Sequence, residues 1–377
     1  MKLLFYKWNS FMNEGLERGL EQLQLTYDTF FYQLDDWESD TNFKKVFTKR
    51  LHSCGYDCVL SINYVPLISD TCEKYGIRYI AWVYDSPIHI KNLSSMKNSC
   101  NEIYLFDRGQ VEELQKKGML VRHMPLAVDT EFWEQQIKKK NPMEKQKDIS
   151  FVGQLYKTEY NYFMSPMDDY IRGYLEGIVN AQGKIYGGYL IPELVTDKLL
   201  NQMNMQYEKV ASDGFQMGKR ELEFLLASEV TYRERYTSLA LLANHFQMNW
   251  YTGDEIKIPN VIKYAYADYL TQMPVIFHDS KINLNISLKT IRTGIPLRAL
   301  DIMGCHGFLL SNFQTELAEY FVPNEECVLY ENIEDMYEKC TFYLKHDTER
   351  QKIADAGYKK VKSEFTFKTR LSKLLGC

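Results

Sequence analysis

Residues 292–312 read RTGIPLRALDIMGCHGFLLSN. Arg292 and Arg298 flank a Gly294-Ile295-Pro296 turn, and Asp301 follows Arg298 at i+3, on the same face of the short helix the spacing predicts. Pro296 fits the first turn of a helix, where its missing N–H costs nothing. Gly294 lets the backbone approach something closely. The free N–H groups and dipole of such a helix start attract an anion, and arginines bind phosphate through two parallel bonds. A carboxylate one turn further on is placed to accept from both hydroxyls of a ribose. The chemistry implied is recognition of a nucleoside diphosphate, with the ribose on Asp301. The plain alternative is a helix in which Arg298 and Asp301 pair with each other and Gly304 and Gly307 close it. Spacing alone favours that alternative, because short glycine-containing loops are weakly specific.

Two further stretches carry polar groups in apolar surroundings. YIAWVYDSPIHI, residues 79–90, reads as a buried strand ending in Asp85-Ser86-Pro87, a good turn sequence. Trp82 and Tyr84 read as core positions that could also line a site, and His89 as a rim or solvent residue. In INLNIS, residues 282–287, Asn283 and Asn285 alternate with apolar neighbours and share one strand face. Buried amides need partners. Asn285, near the strand end, could touch a ligand or hold the Arg292 loop.

Rigid elements must stand behind these residues. A chain of 377 residues suits two domains. Runs rich in aromatic and β-branched residues at 2–6, 27–34, 56–63, 78–84, 102–106 and 121–125 alternate with helical patterns at 13–25, 43–54, 68–75 and 110–117. Strands separated by single helices predict a parallel sheet. The polar stretch 134–147 reads as a solvated linker. A second alternating region starts at 148–153. A long helical, Met- and Tyr-rich segment interrupts it over about 160–246, and it resumes at 248–253, 282–287, 308–312 and 327–332. The last helical pattern covers 349–365, with a short segment to 375. In open parallel sheets ligands sit beyond the carboxyl ends of the strands.

Composition narrows the partners. The formal net charge is -5, so no global basic field draws the chain to nucleic acid. The opening MKLLFYKWNS has an apolar run of four residues, too short for a signal-peptide core. No stretch approaches the roughly 20 apolar residues of a membrane helix. The eight cysteines form no C-x-x-C pair and read as reduced thiols of a cytoplasmic protein. Peripheral contact with a membrane stays open.

Residues 280–336, from SKINLNIS to ENIEDM, resemble the C-terminal domain of glycosyltransferases of the spore-maturation CgeB type, within the broad GT-B class. WVYDSP at 82–87, PLAVDTEFW at 125–133 and DISFVGQLY at 148–156 agree in order and spacing. The resemblance implies an α/β fold of two Rossmann-like domains with parallel sheets facing a central cleft and a helical insertion in the second. It implies a first domain at 1–140, joined by the C-terminal helix 357–377, and a nucleotide-sugar-binding domain at 146–356. Asp301 falls where related enzymes carry the second Glu of an E-x7-E motif, the ribose ligand, and Thr293 where they carry the first. Their G-R-L turn, whose Arg holds pyrophosphate, is Gly153-Gln154-Leu155 here. Arg292 and Arg298 could replace that charge, with Lys157 or Lys289 as further candidates. The donor set implied is therefore Gly153, Asn285, Arg292, Thr293, Gly294, Arg298 and Asp301.

Glycosyl transfer passes through an oxocarbenium-like centre. The departing diphosphate needs a metal or fixed donors. No Asp-X-Asp metal motif is present, and Asp35-Asp36 and Asp168-Asp169 read as surface pairs, so metal-independent departure is expected. Many GT-B enzymes place a His near the position of Asp85, which makes Asp85 the candidate base for the acceptor hydroxyl. The expected donor is a nucleotide-diphosphate sugar, a UDP-sugar first among them, as substrate rather than cofactor. Glycan, protein and lipid acceptors remain open. The rival readings are a non-catalytic nucleotide-sugar binder of the same fold and a sugar-nucleotide epimerase or hydrolase.

Overall fold

The computed structural model describes residues 2–88, 90–139, 146–210 and 214–377. The chain divides into two compact units. The first comprises Met1–Lys138, Thr293–Gly304 and Tyr358–Cys377; the second comprises Lys139–Arg292 and Cys305–Gly357.

The first unit holds strands β1 (Leu3–Lys7), β2 (Tyr27–Phe31), β3 (Cys58–Ile62), β4 (Arg78–Val83), β5 (Asn101–Leu105) and β6 (Val121–His123). They form one sheet in the order β2-β1-β3-β4-β5-β6, parallel throughout. β3 and most of β4 are buried along their whole length, as a sheet covered by helices on both faces requires. Local signals set the helix ends. Asp40 accepts from the Phe43 amide to start Thr41–Cys54, and Gly55 ends it at φ 59°, a left-handed turn that glycine enters without strain. Phe43 and Phe47, one turn apart on that helix, stack at 5.1 Å in the core.

The C-terminal helix Phe367–Leu375 also belongs to this unit. It lies against Asn13–Gln22, where Gly15 and Gly19 are spaced one turn apart. A Cβ on Gly15 would sit 2.4 Å from the Phe367 ring, and one on Gly19 would sit 2.7 Å from Phe367 Cβ. Only hydrogen at both positions allows this close packing.

The second unit holds β7 (Lys147–Val152), β8 (Met248–Tyr251), β9 (Ile262–Tyr264), β10 (Ser280–Asn285), β11 (Leu309–Asn312) and β12 (Val328–Tyr330). Their order is β12-β11-β10-β7-β8-β9, again parallel. Read from β9, this is the dinucleotide-fold order, with the reversal of direction between β7 and β10. In the first sheet the reversal falls between β1 and β3. The segment between β7 and β8 is helical, running from Tyr160–Met164 through Lys219–Ala243. It has its own core, built on Met164, Met167, Leu175, Ile178, Met203 and Leu226.

One segment departs from the expected division. Thr293–Gly304, expected in the second domain, groups with the first unit. The reason is steric. Gly304 packs where a Cβ would lie 2.9 Å from the Trp133 ring, and Gly294 packs where a Cβ would lie 2.9 Å from Asp107 Cα. Strand β9 was not expected. Its sequence, Ile-Lys-Tyr, is short and mostly exposed, so it carries no strand periodicity.

Candidate functional site

In the second unit the loops after β7 and β10 meet at the point where the strand order reverses. β7 runs into Gly153, whose carbonyl accepts from the Trp250 indole at 2.8 Å. Tyr156 closes this loop at φ 61°, an uncommon conformation for a side chain of its size. Between the two loops lies Arg235, from the long helix Lys219–Ala243. Its Nε donates to the Ile286 carbonyl at 3.0 Å, Nη2 donates to the same carbonyl, and Nη1 donates to the Gln154 carbonyl. Its guanidinium also sits over the Tyr156 ring at 4.7 Å and the Phe151 ring at 5.2 Å. Arg235 is only 8% exposed. It fastens the loop after β7 to the loop after β10.

Its neighbour Glu234 pairs with Lys289 at 2.8 Å, both side chains almost fully buried. The Lys289 amide donates to Thr231 Oγ1 at 3.0 Å, and its ammonium lies 4.3 Å from the centre of the Tyr186 ring. Burial, then the Glu234 charge, push the Tyr186 hydroxyl well above the ordinary tyrosine range. Lys289, expected as a pyrophosphate candidate, is thus committed to Glu234. Asn285 donates to Ser311 Oγ at 2.8 Å and Ser287 Oγ at 3.2 Å, and Asn312 Oδ1 accepts from the Ser287 amide at 2.8 Å. Asn285 therefore braces the loop that leads to Arg292. The Arg292 guanidinium stands over the Tyr189 ring at 5.3 Å.

In the first unit the helix Leu297–Gly304 carries Arg298 and Asp301. Arg298 Nη1 donates to Asp301 Oδ2 at 3.2 Å, and Asp301 is 1% exposed. The two side chains meet each other, the pairing that spacing alone favoured. Tyr84 is close by: burial holds its hydroxyl well above the usual range, opposed by a backbone hydrogen bond at Ala127, with the Asp301 charge adding to the shift and Arg370 opposing it. Thr293 is equally committed. Its hydroxyl donates to Asp107 Oδ1 at 3.1 Å and accepts from the Gly109 amide at 2.9 Å, and its own amide donates to Asp107 at 3.1 Å. The close approach that Gly294 permits is to the Asp107 backbone.

Asp85 follows β4, exposed, with Oδ2 accepting from Asn63 Nδ2 at 2.6 Å. Asn63 holds both ends of this turn, because its Oδ1 accepts from the Tyr84 amide at 2.7 Å. Asp85, Trp37, Asn63, Tyr64, Val83, Ile88 and Ile90 line a cavity of about 160 Å³. Trp82, which could have lined a site, is fully buried in the sheet. His89 lies outside the described residues.

Sequence reasoning passed over Arg235, Glu234 and Asp107. A signal for the first two existed. Ala227, Thr231, Glu234, Arg235, Ser238 and Leu242 fall at helical spacing on one buried face of Lys219–Ala243, a polar stripe on an inward surface. No comparable spacing marks Asp107.

Comparison with known proteins agrees with this architecture. Residues 241–376 match the family described as glycosyl transferase-like. Spore protein CgeB of Bacillus subtilis is 35% identical over 77 residues, which span 20% of this chain and 23% of that protein. A sucrose-phosphate synthase of Thermosynechococcus elongatus has a similar fold, with a TM-score of 0.58 at 9% identity over 100% of this chain and 98% of its own. The Anabaena protein HepE, solved with UDP-glucose, matches at a TM-score of 0.54 and 9% identity over 100% of this chain and 98% of its own. No described helix is long and apolar enough to cross a membrane. Two six-stranded parallel sheets give the chain the fold of these glycosyltransferases, and its C-terminal third is similar to the glycosyl transferase-like family and, in part, to CgeB.

Proposed function

We propose that the protein moves a sugar from a nucleotide-diphosphate donor, a UDP-sugar first among the candidates, to an acceptor hydroxyl without a metal ion. The observation that carries this reading is the reversal point of the second sheet, where Arg235 fixes the loops after β7 and β10. Open parallel sheets bind nucleotides at such a point. HepE, of the same fold, was solved with UDP-glucose, which supports a uridine donor. Gly153 gives the diphosphate backbone to approach, and Arg292 is the cation of the second unit that follows the β10 loop. Fixed donors of this kind can stabilise a departing diphosphate. In the first unit, Asp85 is the candidate base.

The test is release of UDP from UDP-sugars by the full chain in chelator, with cell-surface glycan extracts as acceptor. Turnover that survives the chelator and needs acceptor supports the proposal. Turnover only on adding a divalent cation removes metal independence, and turnover without acceptor favours hydrolysis or epimerisation. The Thr293 contacts favour one further reading, a nucleotide-sugar binder without turnover, because the hydroxyl at the first Glu position is spent on Asp107 and Gly109. Intact UDP binding with no turnover on any donor would support it.

Asp301 has its own test. In a ribose role the Asp301 carboxylate would accept from the ribose hydroxyls alongside its bond from Arg298. Asp301→Ala should then weaken UDP binding by about 1.5–3 kcal/mol, roughly 10- to 100-fold. Unchanged affinity with a lower melting temperature would leave the Arg298 pair as its whole role.

A further inference from the structure

We infer that the cavity beside Asp85 in the first unit is a one-ring carbohydrate subsite, so that the acceptor presents a neutral pyranose. This rests on the reading of Asp85 as acceptor-side base and adds the class of acceptor. The walls are chemically divided. Trp37, Tyr64, Val83, Ile88 and Ile90 are apolar or aromatic, while Asp85 and Asn63 are polar. A pyranose is divided in the same way, with C–H groups on its faces and hydroxyls around its edge. A carboxylate accepts from ring hydroxyls, and an indole covers a C–H face. At about 160 Å³ the cavity lies below the roughly 300 Å³ at which pockets for larger ligands begin, which suits a single ring.

The walls are held in advance of any ligand. The Trp37 ring meets Trp8 edge-on at 5.3 Å, and the Trp8 indole donates to the Ile62 carbonyl at 3.1 Å, tying Trp37 to the end of β3. Next to Trp37, Glu38 Oε1 accepts from the amides of Lys91 and of Asn92, the latter at 3.2 Å. One carboxylate thus staples the loop that carries Trp37 to the segment that follows Ile88 and Ile90. Tyr64 is fixed by its hydroxyl, which donates to Ser95 Oγ at 2.9 Å. Asn63 fixes the direction of the Asp85 carboxylate by donating to its Oδ2 at 2.6 Å. Walls held in this way lose little conformational freedom on binding.

Saturation-transfer NMR on the full chain tests the inference. The probes are methyl glycosides of glucose, galactose and N-acetylglucosamine, a blocked seryl peptide and phosphatidylglycerol vesicles. At least one glycoside should bind in the millimolar range. Trp37→Ala should weaken it roughly tenfold, Trp37→Phe should restore most of the loss, and Ile90→Phe, which fills the cavity without emptying the core, should weaken it as much as Trp37→Ala. UDP affinity should be unchanged in all three variants. The inference is overturned if no glycoside binds, if a glycoside binds equally well to Trp37→Ala and Ile90→Phe, or if the peptide or the vesicles bind in a Trp37-dependent way instead. Its fate is separate from that of the donor proposal. Trp37-dependent glycoside binding in a chain that binds no nucleotide removes only the donor. UDP binding without glycoside binding removes only this subsite.

Discussion

The carboxyl edges of the two sheets differ in kind, although each sheet has six parallel strands. The edge of the second sheet is ionic. Arg235 and the Glu234–Lys289 pair are buried there, and backbone carbonyls of both loops serve as acceptors. The edge of the first sheet opens on a mostly apolar cavity with one exposed carboxylate, Asp85. Strand order and insertion explain the contrast. In the second sheet the reversal falls between β7 and β10, and the helical segment after β7 delivers its charges into that gap. In the first sheet the connections after β2 and β4 bring Trp37, Ile88 and Ile90 to the edge. One edge thus suits a charged ligand, the other a neutral one with hydroxyls.

The largest effect expected is at the ionic edge. Arg235→Met should lower stability by about 3 kcal/mol, because the Ile286 and Gln154 carbonyls lose a buried donor. Urea unfolding would show it, and Arg235→Lys should recover part. At the apolar edge, Asp85→Asn should leave stability nearly unchanged and lower turnover by about a hundredfold, close to 2.7 kcal/mol. Full turnover in that variant would remove Asp85 as the base and blur the contrast. Gly15→Ala tests the first unit away from its edge. It should cost about 2 kcal/mol by overpacking Phe367, read as a shift in melting temperature without loss of UDP affinity.

The smallest effect concerns pH. Hydrogen bonds from Arg78, across β4 and β5, hold the Glu102 carboxyl below its ordinary value. A depressed carboxylate contributes stability above its unfolded pKa and loses it as pH falls through the folded value. Glu102→Gln should therefore flatten the acid limb of the stability profile below about pH 4.5, by less than about 1 kcal/mol for a partly exposed pair.

Much of this fold was legible because its strands are buried on both faces and its helices end at marked residues. The runs at 78–84 and 308–312 became β4 and β11 almost residue for residue. The helical interruption after 160 was equally plain, since five helices follow one another there. Strand order was not legible, because periodicity tells which face of a strand is buried and not which strand lies beside it. The site was read in part. Asn285 was found as a buried amide, and its brace on Ser287 and Ser311 follows from the need for partners. Arg298 and Asp301 were read as a pair or as ligands, and the helical i+3 spacing serves both. Arg235 escaped because one arginine among the three of a 25-residue helix resembles a solvated charge until the opposite face is known. Asp107 escaped because its local bond to Gly109 is an ordinary helix cap, while its other partner, Thr293, lies 186 positions away in sequence.

The most direct test of the central claim is calorimetric titration of the full chain with UDP in the presence of EDTA, repeated with GDP, ADP and dTDP. Saturable one-to-one binding of a nucleoside diphosphate, weakened more than about tenfold by Arg235→Met and untouched by Asp85→Asn, is the predicted result. Binding of none of the four, or binding indifferent to Arg235, would contradict a donor site at the reversal point of the second sheet.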